Sequence, residues 1–423
     1  MSAADRPEVV VDLAAVRHNV RVLRERVAPA AMMTVVKADG YGHGMVEVAR
    51  AAREAGTDWL GVATPTEALA LRAAGDAGPL LCWLTMPGED LAPVVAAGVD
   101  VTAYSPAEVD DVVRAARATG RAARLQLKVD TGLHRGGALP GAWRALVASA
   151  RAAEEAGDLR VTGIWSHFAA SEEPGHPANA AQEEVFRAAL EVAHAAGLRP
   201  EVRHLANSAG ALLRPGARFD LVRCGIASYG IDPAPDVPEA DVPGGRPALV
   251  PAMTVRAPLV LSKPLRPGDG VSYGHTWVAD RATTVGLVPL GYGDGIPRHA
   301  AAGVGTEQAA EVLVAGRRRP VRGRVCMDQF VVDLDGELLP PGTPVVLLGP
   351  GTGGEPTARE WALACGTIDY EVVTRMRGRA RRVHVDSEVD GDLRGAPAVD
   401  PGVTGDGTGG VTDGVTGGEV RRG

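Results

Sequence analysis

MMTVVKADGYGHG, residues 32–44, runs from an apolar, β-branched stretch into a lysine and then into a turn carrying Gly40, Gly42 and Gly44. A strand that ends on a reactive side chain and a glycine turn is a strand that delivers a residue to a site. The figure recurs at residues 123–137, ARLQLKVDTGLHRGG, around Lys128. Around these two stretches, short β-rich runs alternate with Ala-rich helical segments, the pattern of parallel βα units. After a helix near residues 14–27, strand candidates stand at 32–38, 59–64, 79–84, 99–104, 123–129, 161–167, 201–207 and 219–225. Eight such units predict an α/β fold, a (β/α)8 TIM-type barrel. An open doubly wound sheet is the lesser alternative, because no GxGxxG follows the first strand and the helices intervene regularly.

Lysine is scarce in this chain. Of 44 Lys plus Arg, only Lys37, Lys128 and Lys263 are lysines. An amine can form a Schiff base with an aldehyde or be carbamylated by carbon dioxide, and a guanidinium can do neither. Lys37 and Lys128 stand at the C-terminal ends of barrel strands, where the βα loops of such barrels assemble an active site. The remaining strand ends contribute Asp130, His167, Asn207, Ser208, Arg223 and Gly225, and Tyr41 lies in the turn after Lys37. A lysine beside groups that can hold phosphate suits pyridoxal phosphate. Ser208 offers a hydroxyl at a helix N-terminus, and Gly225 permits close backbone approach. Ser208 alone reads equally well as an ordinary helix cap.

Residues 232–249, DPAPDVPEADVPGGRPAL, break the alternation and read as a linker. Beyond it, residues 253–262, 283–293, 324–334 and 343–349 are strand-like and separated by Gly/Pro turns, with only the stretch near residues 358–364 helical. The expected division is a barrel over 12–240 and a β-rich C-terminal domain over 241–386, with an N-terminal strand at about 7–11 available to join it. The tail, 387–423, has no aromatic residue and repeats GVT, and is expected to be disordered.

A net charge of −8 with scattered basic residues gives no reason to expect nucleic acid or a membrane surface. The N-terminus lacks a basic segment followed by an apolar one, and no stretch approaches about 18 uninterrupted apolar residues, so a cytoplasmic protein is expected. Cys82, Cys224, Cys326 and Cys365 lack ligand spacing, so no metal and no disulfide framework are indicated.

Nine motifs in order carry a resemblance: VVKADGYGHG, KVDTGLHRGG, SHFA, HLANSA, VRCGIASYG, VSYGHT, PLGYGDG, RVCMD and GTIDYE, spanning Lys37 to Glu371. With them the chain resembles the alanine racemases, fold-type III pyridoxal-phosphate enzymes. The resemblance implies a two-base interconversion of L- and D-alanine, supplying D-alanine for peptidoglycan. Lys37 would bind the cofactor as a Schiff base and serve as one base, with Tyr273 as the other. Tyr41, Ser208, Gly225, Ile226 and Tyr370 would hold the cofactor phosphate, with Asn207 opening the adjoining helix. Arg223 would face the pyridine nitrogen and His167 would lie beside the ring. Arg135 would help hold the substrate carboxylate, Met327 would contact it through its backbone, and Tyr292 would narrow the entrance. Lys128 would be an N6-carboxylysine that orients Arg135. The resemblance also implies a homodimer in which Tyr273 and Met327 reach the partner's barrel. Three departures are local: the run HFAASEEPGHP, where the family usually places an acidic residue sooner, the stretch near His384, where the family often has an aromatic residue, and the added tail.

Three other functions fit parts of the pattern. A racemase for serine or another amino acid needs a pocket differing by few atoms. A decarboxylase of the same fold type typically places an acidic residue where Arg223 stands. A non-catalytic carrier of pyridoxal phosphate would need no second domain bearing Tyr273.

Overall fold

The computed structural model describes residues 6–304 and 307–387, so the expectation for the tail falls outside the described residues, apart from Ser387. Strand β1 (Glu8–Asp12) leads directly into helix α1 (Leu13–Val27), whose start is capped by the Asp12 carboxylate accepting from the Ala14 amide at 2.9 Å. Val16, Val20 and Leu23 form a buried stripe at the helical period, which seats α1 against the barrel.

The barrel strands are β2 (Ala31–Val35), β3 (Trp59–Val62), β4 (Leu80–Cys82), β5 (Asp100–Ala103), β6 (Ala123–Lys128), β7 (Leu159–Trp165), β8 (Val202–His204) and β9 (Leu221–Cys224). All pair in parallel in the order β9-β2-β3-β4-β5-β6-β7-β8. The Asp220 amide donating to Arg203 O (3.1 Å) and the Arg223 amide to Ala206 O (3.0 Å) bridge the remaining gap between β8 and β9. The strands read as near-continuous apolar runs because helices cover the outside while side chains fill the inside. Two helices begin on capping boxes legible in the sequence, Thr64 with Glu67 and Ser105 with Glu108, each followed by a proline suited to the first helical position.

After residues 232–249, where only the short 3-10 turn Glu239–Asp241 is regular, the chain forms β10 (Met253–Pro258), β11 (Leu261–Leu265), β12 (Gly270–Val271), β13 (Trp277–Val278), β14 (Thr283–Val288), β15 (Glu311–Val314), β16 (Arg317–Arg322), β17 (Phe330–Asp333), β18 (Pro344–Leu348) and β19 (Arg381–Val385). Apart from the small β12-β13 ribbon, they make a nine-stranded sheet in the order β11-β14-β17-β16-β15-β18-β10-β1-β19. β1 thus lies inside the second sheet, antiparallel to β10 and parallel to β19. The expectation of a single helix in this part needs correcting. Besides Ala358–Ala364 there is a helix at Asp369–Arg375, which buries Val372 and Val373 and presents Tyr370 to the barrel mouth. Ala358–Ala364 is equally short but Ala-rich and opens on a Thr357/Glu360 capping box, whereas Asp369–Arg375 has no side-chain cap and carries the β-branched Val372, Val373 and Thr374, so tertiary packing rather than propensity makes this helix.

Candidate active site

Lys37 stands just past the end of β2, at the start of a turn in which Ala38, Asp39, Gly40 and Tyr41 have φ of 54°, 56°, 62° and 52°. A left-handed conformation costs non-glycine residues about 1–2 kcal/mol each. Surrounding bonds hold it: Glu67 Oε1 accepts from the Ala38 amide (2.7 Å), Asp39 Oδ1 from the Met45 amide (3.0 Å), and Val36 O from the Gly40 amide (2.9 Å). The turn brings Lys37 and Tyr41 to the same cavity, where such strain is commonly found.

That cavity, about 780 Å³, opens at the C-terminal ends of the barrel strands. One end carries oxygen and amide groups. The hydroxyls of Tyr41, Ser208 and Tyr370 converge there with the backbone of Gly225 and Ile226, and Ser208 Oγ accepts from the Gly225 amide at 2.9 Å. Asn207 caps the short helix Ser208–Leu213, its Oδ1 accepting from the Gly210 amide and the Ser171 hydroxyl at 2.9 Å each. Tyr41 packs between Tyr229 and Tyr370, with ring centroids 5.0 and 6.3 Å away. Burial pushes the Tyr41 and Tyr370 phenols up, so both remain hydrogen-bond donors at neutral pH. A side chain at position 225 would collide with Tyr41 Oη, which makes glycine necessary there.

Another part of the lining is cationic and aromatic. Lys37, Lys128 and Arg135 share it with Trp83, Tyr104 and Trp165. Lys128 Nζ lies 4.5 Å from the Trp165 ring centroid and 5.4 Å from that of Tyr104, and Lys37 Nζ lies 5.7 Å from Trp83. Burial, then the charges of Arg135 and Arg223, lower the Lys37 pKa against the opposing pull of Glu67. Burial with Arg223 and Arg135 brings Lys128 down to about 8. Arg223 Nη2 shares its two hydrogens among Ser166 O (2.8 Å), Leu205 O (2.9 Å) and His167 Nδ1 (3.1 Å), while Nη1 donates to His204 Nδ1 (2.8 Å). Burial draws Arg223 down to about 9, and burial plus the Arg223 charge keeps His167 and His204 well below the usual histidine range.

The structure therefore brings together Lys37, Tyr41, Lys128, Arg135, His167, Asn207, Ser208, Arg223, Gly225, Ile226 and Tyr370 around one cavity. It does not bring Tyr273, Tyr292 and Met327 there. These lie in turns of the C-terminal part, Tyr273 between β12 and β13, Tyr292 after β14 and Met327 between β16 and β17, and are 68%, 39% and 55% exposed. They form a cluster of their own: Cys326 O accepts from the Tyr292 amide (3.0 Å), Met327 O from the Gly293 amide (2.9 Å), and Tyr273 O from Arg324 Nη1 (3.1 Å). Sequence reasoning missed Trp83, Tyr104 and Trp165, and it missed His204. In a chain with 4% aromatic residues, rings closing the runs PLLCWL, VDVTAY and VTGIWSH were a usable signal.

Among the described residues, no group of His, Cys, Asp and Glu is placed to hold a metal ion, and no helix is long and apolar enough to cross a membrane. Sequence models for the alanine racemase N-terminal and C-terminal domains match residues 11–233 and 252–384. The chain is 54% identical over 377 residues to an alanine racemase of Thermobifida fusca, covering 89% of this chain and 97% of the relative. It is 47% identical over 383 residues to one of Mycobacterium tuberculosis, covering 90% and 96%. The solved alanine racemase of Streptomyces coelicolor A3(2) superposes with a TM-score of 0.86 at 53% identity, covering 91% of this chain and 99% of that one. That of Bacillus anthracis, with bound L-Ala-P, gives 0.81 at 32% identity, covering 90% and 95%.

Proposed function

The chain belongs to the alanine racemase family and is a racemase, and from that membership we propose that it interconverts L- and D-alanine with pyridoxal 5'-phosphate, in sites shared between two copies of the chain. One observation carries the reading. A single cavity holds a lysine of lowered pKa, an oxygen-and-amide cradle and a buried guanidinium. A phosphate ester suits the cradle of Tyr41, Ser208, Tyr370 and the Gly225 and Ile226 amides, and an aldehyde suits Lys37 Nζ. A ring nitrogen suits Arg223, which does not readily give up a proton. We take residues 12–240 as the cofactor-binding part and 241–386 as the part that supplies Tyr273.

When bound, the cofactor supplies an electron sink for charge developing at the substrate Cα. The chain does the rest. Racemisation removes the Cα proton on one face and returns one on the other, so two bases on opposite faces are required. Lys37 Nζ holds the cofactor and then works one face, its lowered pKa making the free amine available nearer neutrality. Tyr273 Oη from the partner copy works the other. Arg135 and the Met327 backbone hold the substrate carboxylate, and Tyr292 narrows the entrance. An N6-carboxylated Lys128 would be an anion and would pair with Arg135, whereas the free ammonium repels it. Arg223, kept charged beside His167, restrains the electron sink and so disfavours decarboxylation and transamination. The reaction is assigned to the cytoplasm, where it would supply D-alanine for peptidoglycan.

Purified protein incubated with pyridoxal phosphate and L-alanine in deuterium oxide is expected to yield D-alanine and α-deuterated alanine. Appearance of neither product would refute the assignment. Lys37→Ala is expected to abolish the visible absorbance of the protein-bound cofactor and to lower kcat at least about a thousandfold, roughly 4 kcal/mol.

A further inference from the structure

Arg223 is 4% exposed, and its hydrogen-bond partners are two imidazole nitrogens and two carbonyls, none of them a carboxylate. A buried guanidinium held by neutral acceptors depends on each acceptor staying an acceptor. Of the two imidazole acceptors, which can both change tautomer, His204 has its second ring nitrogen held inside the barrel. Because its Nδ1 accepts from Arg223 Nη1 at 2.8 Å, its proton must sit on Nε2, which lies 2.7 Å from Gln126 Oε1. Gln126 Nε2 in turn donates to Asp100 Oδ2 at 3.0 Å. Asp100 is 1% exposed and also accepts from Thr162 Oγ1 and Arg124 Nε, each at 2.5 Å.

Every link of this chain points one way. A guanidinium can only donate and a carboxylate can only accept, so the two ends fix the direction of the glutamine amide and the imidazole between them. The chain crosses the barrel interior from β9 through β8 and β6 to β5. It is built rather than incidental. Gln126 and His204 are fully buried, and a Cβ at Gly163 on β7 would lie 2.6 Å from Gln126 Cδ and Oε1, so that glycine makes room for the amide. Trp165, also on β7, stacks on His204 with centroids 5.7 Å apart and planes 3° from parallel, which sets the plane of the ring. Arg223 is the charged group that acts on His204, and it lowers the imidazole together with burial.

We propose that Gln126 and Asp100 are positioning residues that hold His204 in its Nε2–H form and thereby hold the Arg223 guanidinium against the cofactor cavity. The proposal deepens the assigned function and rests on it only for the role of Arg223. A His204 carrying its proton on Nδ1 would turn a donor toward the donors of Arg223 and push the guanidinium out of place.

The test uses the full chain labelled with ¹⁵N-histidine, with the His204 signals identified by their absence from His204→Gln. In the wild type, Nε2 is expected to be protonated and Nδ1 unprotonated from about pH 6 to about pH 8, across the ordinary histidine range and below the value to which Arg223 is drawn, with or without pyridoxal phosphate. Gln126→Met is expected to disturb those signals, shift the visible band of the bound cofactor, and lower kcat about tenfold with little change in KM. Asp100→Asn, nearly isosteric, should act in the same direction. The double variant should be no worse than Gln126→Met, because a chain already cut cannot be cut again. A proton on Nδ1 would overturn the proposal. So would a Gln126→Met protein that melts at lower temperature but keeps the band and the kcat of the wild type, or single-variant losses that multiply in the double variant. If the protein takes up no pyridoxal phosphate, the functional assignment fails while the His204 signals still decide this point.

Discussion

Lys128 is a cation held against two other cations, Arg135 and Arg223, in a largely buried wall, and its pKa falls to about 8. The sign of the consequence follows from proton linkage. The unfolded chain keeps the ordinary lysine value near 10.4, so between about pH 8 and about pH 10 this side chain binds more protons unfolded than folded, and its contribution to stability rises with pH. The thiols of Cys82, Cys224 and Cys365, pushed up by burial, contribute with the opposite sign in the same range, so the Lys128 share is read as a difference: in denaturant titrations in carbon-dioxide-free buffer, the stability of wild type relative to Lys128→Met should rise with pH. Lys37, lowered for similar reasons, contributes with the same sign. The same lowered pKa leaves a larger fraction of Lys128 neutral and able to add carbon dioxide. Bicarbonate should therefore raise activity, give a ¹³C carbamate signal, and do neither in Lys128→Arg. Position at a strand end was enough to single out Lys37 and Lys128 and to leave Lys263 aside. Nothing local in the sequence pointed to Gln126 or Asp100, which meet partners 78 and 26 residues away and look like stray polar residues within apolar runs.

At the level of the element, the turns after β2 and β9 face each other, and Tyr41 from the first fills the space that Gly225 in the second leaves open. Gly225→Ala should push the Tyr41 ring from the cradle and weaken pyridoxal phosphate binding about tenfold, roughly 1.4 kcal/mol. Tyr41→Phe removes the colliding oxygen, so adding Gly225→Ala to it should cost clearly less than adding it to the wild type. Absorbance titration with the cofactor measures both, and equal costs would place the effect elsewhere than in this contact. The eight β-rich runs were legible because parallel strands buried on both faces must be apolar, and each run overlaps an observed strand. Their ends were less so: the run 161–167 corresponds to Leu159–Trp165, because pairing with β6 starts two residues earlier, at Leu159 opposite Ala123, and ends at Trp165, before the polar Ser166 and His167. The left-handed turn was not legible at all beyond Gly40, since Ala38, Asp39 and Tyr41 are held there by Glu67 and Asp39 hydrogen bonds made after folding.

For the whole molecule, the placement of the two proposed bases bears on what one copy can do. Lys37 lines the barrel cavity, while Tyr273 and Met327 stand exposed in turns of the C-terminal part with no part in lining it. The proposed two-base reaction would therefore bring these turns of one copy over the barrel of another. In a two-fold dimer the same contact is made twice, so each copy lends Tyr273 and receives it. Complementation follows directly. Lys37→Ala and Tyr273→Phe are each expected to be nearly inactive. In a hybrid of the two, one site carries both substitutions, and the other combines an intact Lys37 with an intact Tyr273. Co-refolding equal amounts gives hybrids as about half of all dimers, each with one working site of two, so about a quarter of wild-type activity should return. Sites complete within a single copy would return none, because neither variant then contains an intact pair. Gel filtration of the mixture, with activity followed across the dimer peak, measures the outcome. A tagged Lys37→Ala copy that captures active, untagged Tyr273→Phe copy would identify the hybrid as the working species.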